Sequence, residues 1–130
     1  MRISTVLAAM ALMLPAAGAF AEGGDADSGQ RIFNQCRACH TIEAGGRNGV
    51  GPNLNGIYNR AAGQRENFRY SANLREQAAA GLTWNDATLT RYLTNPKDVL
   101  PQGAMSFPGL RQPQQVADVI AFLQRSSTPQ

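Results

Sequence analysis

The feature that most constrains this chain is a five-residue segment, Cys36-Arg37-Ala38-Cys39-His40. It contains both cysteines and the single histidine of the sequence. The spacing C-x-x-C-H is the pattern through which haem is attached covalently to a protein. Thiols at this separation can add across the vinyl groups on one edge of a porphyrin, and the adjoining histidine is then held under the iron. The segment therefore predicts one covalent haem, with His40 as an iron ligand.

Two other chemistries use the same residue types. A redox-active dithiol of the thioredoxin kind also has the spacing C-x-x-C, but it usually opens a helix beside a parallel sheet. No β-α-β pattern is found in this sequence. A structural zinc site wants four ligands, whereas two cysteines and one histidine supply only three. Haem attachment is favoured over both alternatives, which stay open at this point.

The N-terminal segment has the pattern of a secretory signal. Arg2 gives a positive start, an apolar run extends from Ile3 to Leu14, and Ala19-Phe20-Ala21 is a small-residue cleavage site. The apolar run is shorter than the roughly 20 residues that a membrane-spanning helix needs. We therefore expect residues 1–21 to be a signal peptide cleaved near Ala21/Glu22, and residues 22–130 to form one periplasmic domain.

The size and charge of that domain limit its function. A domain this small is marginally stable without a staple, metal or cofactor, so something besides side chains is expected at its centre. The chain has 12 basic and 9 acidic residues, an excess too weak to predict binding to nucleic acid or to an anionic membrane. No second apolar stretch is long enough to cross a bilayer. We expect a soluble monomer.

Helical periodicity is found in the first half of the expected domain. A first helix, capped by Asp27 or Ser28, is predicted to run through Ile32, Phe33 and Cys36 towards Cys39. Residues 41–70 are rich in Gly and Asn and predict a long irregular loop, which is unusual unless it has a function. A second helix is predicted from Ser71 to Ala80, ended by Gly81.

Two further helices are predicted in the second half. A Thr83-x-x-Asp86 capping box would open a helix through Leu89, Tyr92 and Leu93, which Asn95-Pro96 would end. A second loop is predicted over residues 97–111. The final helix is predicted to begin at Pro113 and to carry one apolar stripe, formed by Val116, Val119, Ile120 and Leu123.

Met105 is the candidate for the second axial ligand of the iron. The other methionines, Met1, Met10 and Met13, would leave with the signal. A lone methionine is often core filler, but Met105 lies in a Pro- and Gly-containing loop, which suits a residue directed at a metal. His and Met together form the ligand pair of electron-transfer haems. With both axial positions filled by protein, no substrate reaches the iron, so the pattern favours an electron carrier over an enzyme.

These residues also resemble a known family, the class I c-type cytochromes, particularly mitochondrial cytochrome c and its periplasmic bacterial counterparts. The resemblance extends over the whole expected domain. Its motifs are Cys36-x-x-Cys39-His40, Gly51-Pro52-Asn53-Leu54-x-Gly56, Tyr58-x-Arg60-x-x-Gly63, Gly81-x-Thr83-Trp84, Tyr92-Leu93-x-Asn95-Pro96-Lys97 and Met105-x-Phe107. The resemblance implies the small all-α cytochrome c fold, with three main helices plus short ones packed around one covalent haem c.

The resemblance also implies roles for individual residues. The Pro52 carbonyl would accept a hydrogen bond from the His40 ring, as is usual for a histidine that binds a metal. Tyr92 would lie near the Met105 sulfur. Residues expected around the haem propionates are Arg60, Tyr70 and Trp84. On the first helix, Gly29 and Phe33 would cross Val119 and Phe122 of the last.

Three departures from the mitochondrial pattern affect these implications. Gln102-Gly103-Ala104 replaces the usual Gly-Thr-Lys, which removes a hydroxyl and a lysine from the loop before Met105. The segment between Tyr70 and Trp84 is longer, and Asn73 is the candidate for the polar residue near the haem. Lys97 is the only lysine, although a basic ring is still expected from Arg31, Lys97 and Arg111.

The implied function is a soluble mono-haem carrier that shuttles single electrons between periplasmic and membrane redox complexes of a respiratory chain. Its expected donor is a membrane quinol-cytochrome c reductase or a dehydrogenase. Its expected acceptor is an oxidase, a reductase or a photosynthetic reaction centre. The alternatives are a dedicated acceptor of one periplasmic dehydrogenase, a peroxidase-like haem enzyme and a thiol-disulfide oxidoreductase.

Overall fold

A computed structural model describes residues 23–127. The helices in this range are α1 (Ala26–Phe33), α2 (Ala72–Ala79), α3 (Asp86–Thr94), α4 (Pro96–Val99) and α5 (Pro113–Arg125). The described residues form no strand, and their β pairing is one isolated bridge between Ala61 and Thr83. The predicted all-α class is confirmed. The predicted signal peptide and its cleavage site lie outside the described residues.

Helix α1 begins two or three residues earlier than predicted. Its cap is Asp25, whose carboxylate accepts the backbone N–H groups of Asp27 (2.9 Å) and Ser28 (3.2 Å). The prediction of Asp27 or Ser28 as the cap is wrong because both already lie in the first turn. The helix ends at Phe33, and residues 34–39 continue as tight turns. Cys36 therefore follows the helix, with its N–H donated to the Phe33 carbonyl at 2.7 Å.

Helix α2 has the predicted limits, while α3 has a different cap. Ser71 caps α2, and Gly81 follows its end with a φ of +96°, the left-handed conformation that glycine adopts most easily. The cap of α3 is Asn85, which accepts the Thr88 N–H at 2.9 Å. The predicted capping box is wrong because the backbone of Thr83 pairs with Ala61, two residues before the true cap.

The second predicted loop contains a short helix that periodicity did not show. Helix α4 begins at Pro96, which is favourable there because the first residue of a helix has no intrahelical partner for its N–H. Helix α5 begins at Pro113 as predicted, and the four residues of its predicted apolar stripe are all buried. No helix within residues 23–127 has the length and apolarity needed to cross a bilayer.

The core forms where α1 crosses α5. A Cβ on Gly29 would overlap the backbone carbonyl of Asp118 and would lie 2.9 Å from Cβ of Phe122. The Phe33 and Phe122 rings are 5.1 Å apart, and Phe33 and Val119 are both 1% exposed. The predicted crossing is confirmed. Helix α3 packs on the same α5, and α4 packs on α3.

We predict that Gly29→Ala destabilises the protein by at least about 2 kcal/mol, since overpacking a filled core typically costs 1–3 kcal/mol. The new Cβ would overlap the Asp118 carbonyl, and this cost exceeds the gain of about 1 kcal/mol in helix propensity. Denaturant unfolding of the mature protein measures the effect. Gly23→Ala is the control, since its Cβ would meet nothing within 4 Å. Equal stability of the two variants would contradict the close crossing.

Candidate cofactor site

The two cysteines and the histidine share one turn after α1. The Cys39 and His40 N–H groups both donate to the Cys36 carbonyl, at 3.1 and 3.0 Å. Both cysteines are half-buried, and they are not joined by a disulfide. Burial, and secondarily the neighbouring Cys39, raises the pKa of the Cys36 thiol. Because reactive dithiols depend on a lowered thiol pKa, this environment disfavours the thiol-disulfide alternative.

The His40 ring is fixed by one short hydrogen bond. Its Nδ1 lies 2.7 Å from the Pro52 carbonyl oxygen, the contact that the resemblance implied. A carbonyl can only accept, so Nδ1 carries the proton and Nε2 keeps its lone pair. Burial lowers the pKa of His40, partly opposed by the bond to Pro52. The ring is therefore a neutral imidazole with a free lone pair, the form that binds metals.

A tight turn packs against the face of this ring. The Gly51 N–H donates to the Cys39 carbonyl, and the Gly49 N–H donates to the Gly51 carbonyl, both at 2.9 Å. A Cβ on Gly51 would overlap three atoms of the His40 ring. Glycine is required here by close approach to the ring, and Pro52 is thereby brought to Nδ1.

The long loop after the motif is held by side chains that bind backbone groups. Asn53 is 2% exposed, and its amide nitrogen donates to the Glu43 carbonyl (2.9 Å) and the Thr41 hydroxyl (2.6 Å). Arg65 donates to the carbonyls of Asn53 (3.2 Å) and Asn55 (2.6 Å). Sequence reasoning assigned none of these roles. The Gly-Pro-Asn motif was a cue for Asn53, and nothing marked Arg65.

Aromatic residues hold the Met105 side chain. Trp84 is buried, and its ring centroid lies 4.7 Å from that of Tyr92. The Tyr92 hydroxyl donates to the Met105 sulfur over 3.7 Å. Burial raises the pKa of Tyr92 to about 12, so the hydroxyl keeps its proton at neutral pH. Met105 therefore has a fixed donor on its thioether, and its position beside Tyr92 agrees with the implied one.

Of the other predicted site residues, Arg60 is joined to Trp84, while Tyr70 contacts a different segment. The Trp84 N–H donates to the Arg60 carbonyl at 2.9 Å. The Tyr70 hydroxyl accepts the Arg65 N–H at 3.0 Å, and its ring lies edge-on to Phe68. Contacts from Arg60, Tyr70 and Trp84 to haem propionates stay a prediction.

The donor set fits an iron porphyrin. The motif supplies two thiols for covalent attachment, and His40 supplies a neutral imidazole. Met105 supplies a thioether, which pairs with imidazole in low-spin electron-transfer haems. The Gly51 turn leaves just enough room for the imidazole ring.

Comparisons with known proteins identify the family that this chain is similar to. The family model described as cytochrome c matches residues 26–127. Cytochrome c2 iso-2 of Magnetospirillum fulvum is 50% identical over 91 residues, which cover 70% of this chain and 91% of that protein. Cytochrome c2 of Rhodoblastus acidophilus is 46% identical over 100 residues, covering 77% and 91%. A solved structure of cytochrome cH from Methylobacterium extorquens has a TM-score of 0.71 and 40% identity, covering 78% of this chain and 99% of that one.

We predict that Gly51→Ala displaces the His40 ring and destabilises the mature protein by about 1–3 kcal/mol, the usual cost of overpacking. Thermal unfolding measures the loss, and NMR of the ring nitrogens reports the Nδ1 hydrogen bond. Val50→Ala is the matched control, because Val50 is the adjacent residue and is 82% exposed. An unshifted ring in Gly51→Ala would show that the turn does not set its position.

Proposed function

The chain belongs to the cytochrome c family, and from that membership we propose that it is an exported carrier of single electrons. Members of this family bind haem c covalently, so haem c is the cofactor of this chain. The observation that carries the proposal is that two residues suited to bind iron each have a fixed partner. His40 is held by Pro52, and Met105 is held by Tyr92.

The cofactor would be held by four side chains. Cys36 and Cys39 would form the thioether bonds, and His40 and Met105 would bind the iron. The haem supplies reversible one-electron chemistry when bound. A methionine ligand would raise the reduction potential of the haem relative to a second histidine. We therefore expect a carrier that accepts electrons from a quinol-oxidising complex or a dehydrogenase.

The remaining site residues would shape the environment of the cofactor. Arg60, Tyr70 and Trp84 would neutralise and hydrogen-bond the propionates, and Tyr92 would orient the Met105 sulfur. With His40 and Met105 both bound to the iron, a peroxide or other substrate would find no free position there. This is the chemical reason for proposing a carrier rather than a peroxidase-like enzyme.

A visible spectrum with an intact mass of the purified protein tests this function. The expected mass is that of residues 22–130 plus one haem, and colour should remain with the chain after denaturation. Haem extracted by acid-acetone would contradict covalent attachment. A colourless protein with titratable thiols would favour the thiol-disulfide alternative, and native peroxidase activity would favour the enzyme.

We predict that Met105→Ala abolishes the near-infrared band of ferric iron-thioether ligation and lowers the reduction potential, because no other methionine lies in residues 22–130. Spectroscopy and redox titration measure the two effects. Ser106→Ala is the control, since this neighbour is exposed and should leave both unchanged. Survival of the band in Met105→Ala would mean that another group binds the iron.

We also propose that the carrier docks through exposed basic residues, which the family resemblance places around the haem edge. Its donor would be a membrane quinol-cytochrome c reductase or a dehydrogenase, and its acceptor an oxidase, reductase or reaction centre. Lys97 and Arg111 are exposed, and the described acidic residues form no ion pair with either. Free exposed charges raise the encounter rate with an acidic partner more than the affinity. An electron carrier needs a high encounter rate with a low affinity, because it must bind and leave its partners quickly.

We predict that Lys97→Glu or Arg111→Glu slows electron transfer with an acidic partner by about tenfold at low salt, within the range of electrostatic steering. Stopped-flow kinetics at several salt concentrations measures this, because exposed charges are screened over about 10 Å at 0.1 M. Arg75→Glu is the control, since Arg75 is exposed on α2. Arg65 is unsuited as a control because it holds two loop carbonyls. A rate indifferent to salt and to these reversals would show that docking is mainly apolar.

A further inference from the structure

The loop that carries Met105 is tied to the helices at both ends. On one side, the Gly103 N–H donates to the Leu100 carbonyl at 3.0 Å. On the other side, the Leu110 N–H donates to the Leu93 carbonyl at 2.7 Å. These bonds fix where the loop leaves α4 and where it returns towards α5. Neither bond involves Met105, so the position of its sulfur is set by contacts that side chains make.

Two side chains outside the loop make such contacts. Tyr92 donates its hydroxyl to the Met105 sulfur. Asn73, from α2, accepts the backbone N–H of Gln102 through Oδ1 at 2.9 Å. Among the described residues, this bond is the hydrogen bond that joins α2 to the loop. The bond is exposed, so its loss would leave the Gln102 N–H to water and would act on the position of the loop.

Helix α2 provides a fixed base for that contact. Asn73 is its second residue, in the first turn after the Ser71 cap. Leu74 and Ala78 of the same helix lie within van der Waals distance of the Cβ position of Gly63, and both pack on the core. Asn73 thus connects α2, which is packed on the core, with the loop that contains the proposed iron ligand.

We propose that Asn73 is a positioning residue for the Met105 thioether. By holding the Gln102 N–H, it keeps the loop closed over the site and favours the sulfur in its binding position. The inference rests on the proposed ligation of iron by Met105.

The size of the effect follows from the worth of one hydrogen bond. A neutral bond contributes a net ~1 kcal/mol, which corresponds to about a fivefold change in an equilibrium. Without the Asn73 bond, the population of molecules with the loop open and the sulfur detached should rise by about that factor. An added ligand such as imidazole captures the open population, so its apparent affinity for the ferric protein rises in proportion.

Imidazole titration of the ferric mature protein, with its haem, tests the proposal. Asn73→Leu removes the acceptor, and it should raise imidazole affinity about fivefold while the near-infrared band persists without imidazole. Asn73→Asp keeps an acceptor oxygen and suits the first turn of a helix, so it should titrate within about twofold of wild type. Gln77→Leu is the matched control, one turn later on α2 and exposed, and it should match wild type.

Each contrary outcome overturns a distinct statement. Asn73→Leu titrating like wild type would show that the bond does not position the loop. Equal affinity increases in Asn73→Leu and Asn73→Asp would show that the acceptor oxygen is not responsible. An equal increase in imidazole affinity in Gln77→Leu would show that any change on α2 destabilises the loop, and it would remove the specific role of Asn73. A wild-type protein without the thioether band would instead overturn the ligation by Met105 itself, and the positioning role with it.

Discussion

The close contact between the backbones of α1 and α5 is the interaction on which the rest of the structure depends. It is possible because Gly29 has no side chain where Asp118 and Phe122 approach it. The crossing brings Phe33 against Phe122 and thereby fixes the end of α1. The turn with Cys36, Cys39 and His40 begins directly after that end, so the direction of the cofactor-binding segment follows from the helix crossing.

The remainder of the site is held by polar side chains rather than by secondary structure. Residues 41–70 form neither helix nor strand apart from the bridge at Ala61, yet their backbone groups need partners wherever water is excluded. Asn53 and Arg65 supply many of them. A loop stabilised in this way can follow the outline of a flat cofactor, which a regular helix or strand could not do.

The helices and the candidate iron ligands could be predicted from the sequence more accurately than the contacts within the loops. The α5 stripe was predictable because one face of a buried helix repeats every three to four residues, and His40 and Met105 stood out because the expected domain has no other histidine or methionine. The predicted caps of α1 and α3 were wrong by two or three residues, since several polar residues precede each helix and only the backbone path selects one. Helix α4 has four residues, too few to show a period. Arg65 binds carbonyl groups, which every residue possesses, so no sequence pattern marks its partners.

The two proposed iron ligands are held by different kinds of structure, and this difference bears on function. His40 adjoins Cys39 and is fixed by Pro52, 12 positions away. The Met105 sulfur depends on Tyr92 of α3, and its loop depends on Asn73 of α2. Cys36 and Cys39 would join the histidine segment to the haem covalently, whereas Met105 has no covalent attachment beside it. The methionine side should therefore open before the histidine side, and the Tyr92 and Asn73 contacts oppose that opening. A carrier needs such opposition, because an electron passes quickly only when the ligands keep their places in both oxidation states.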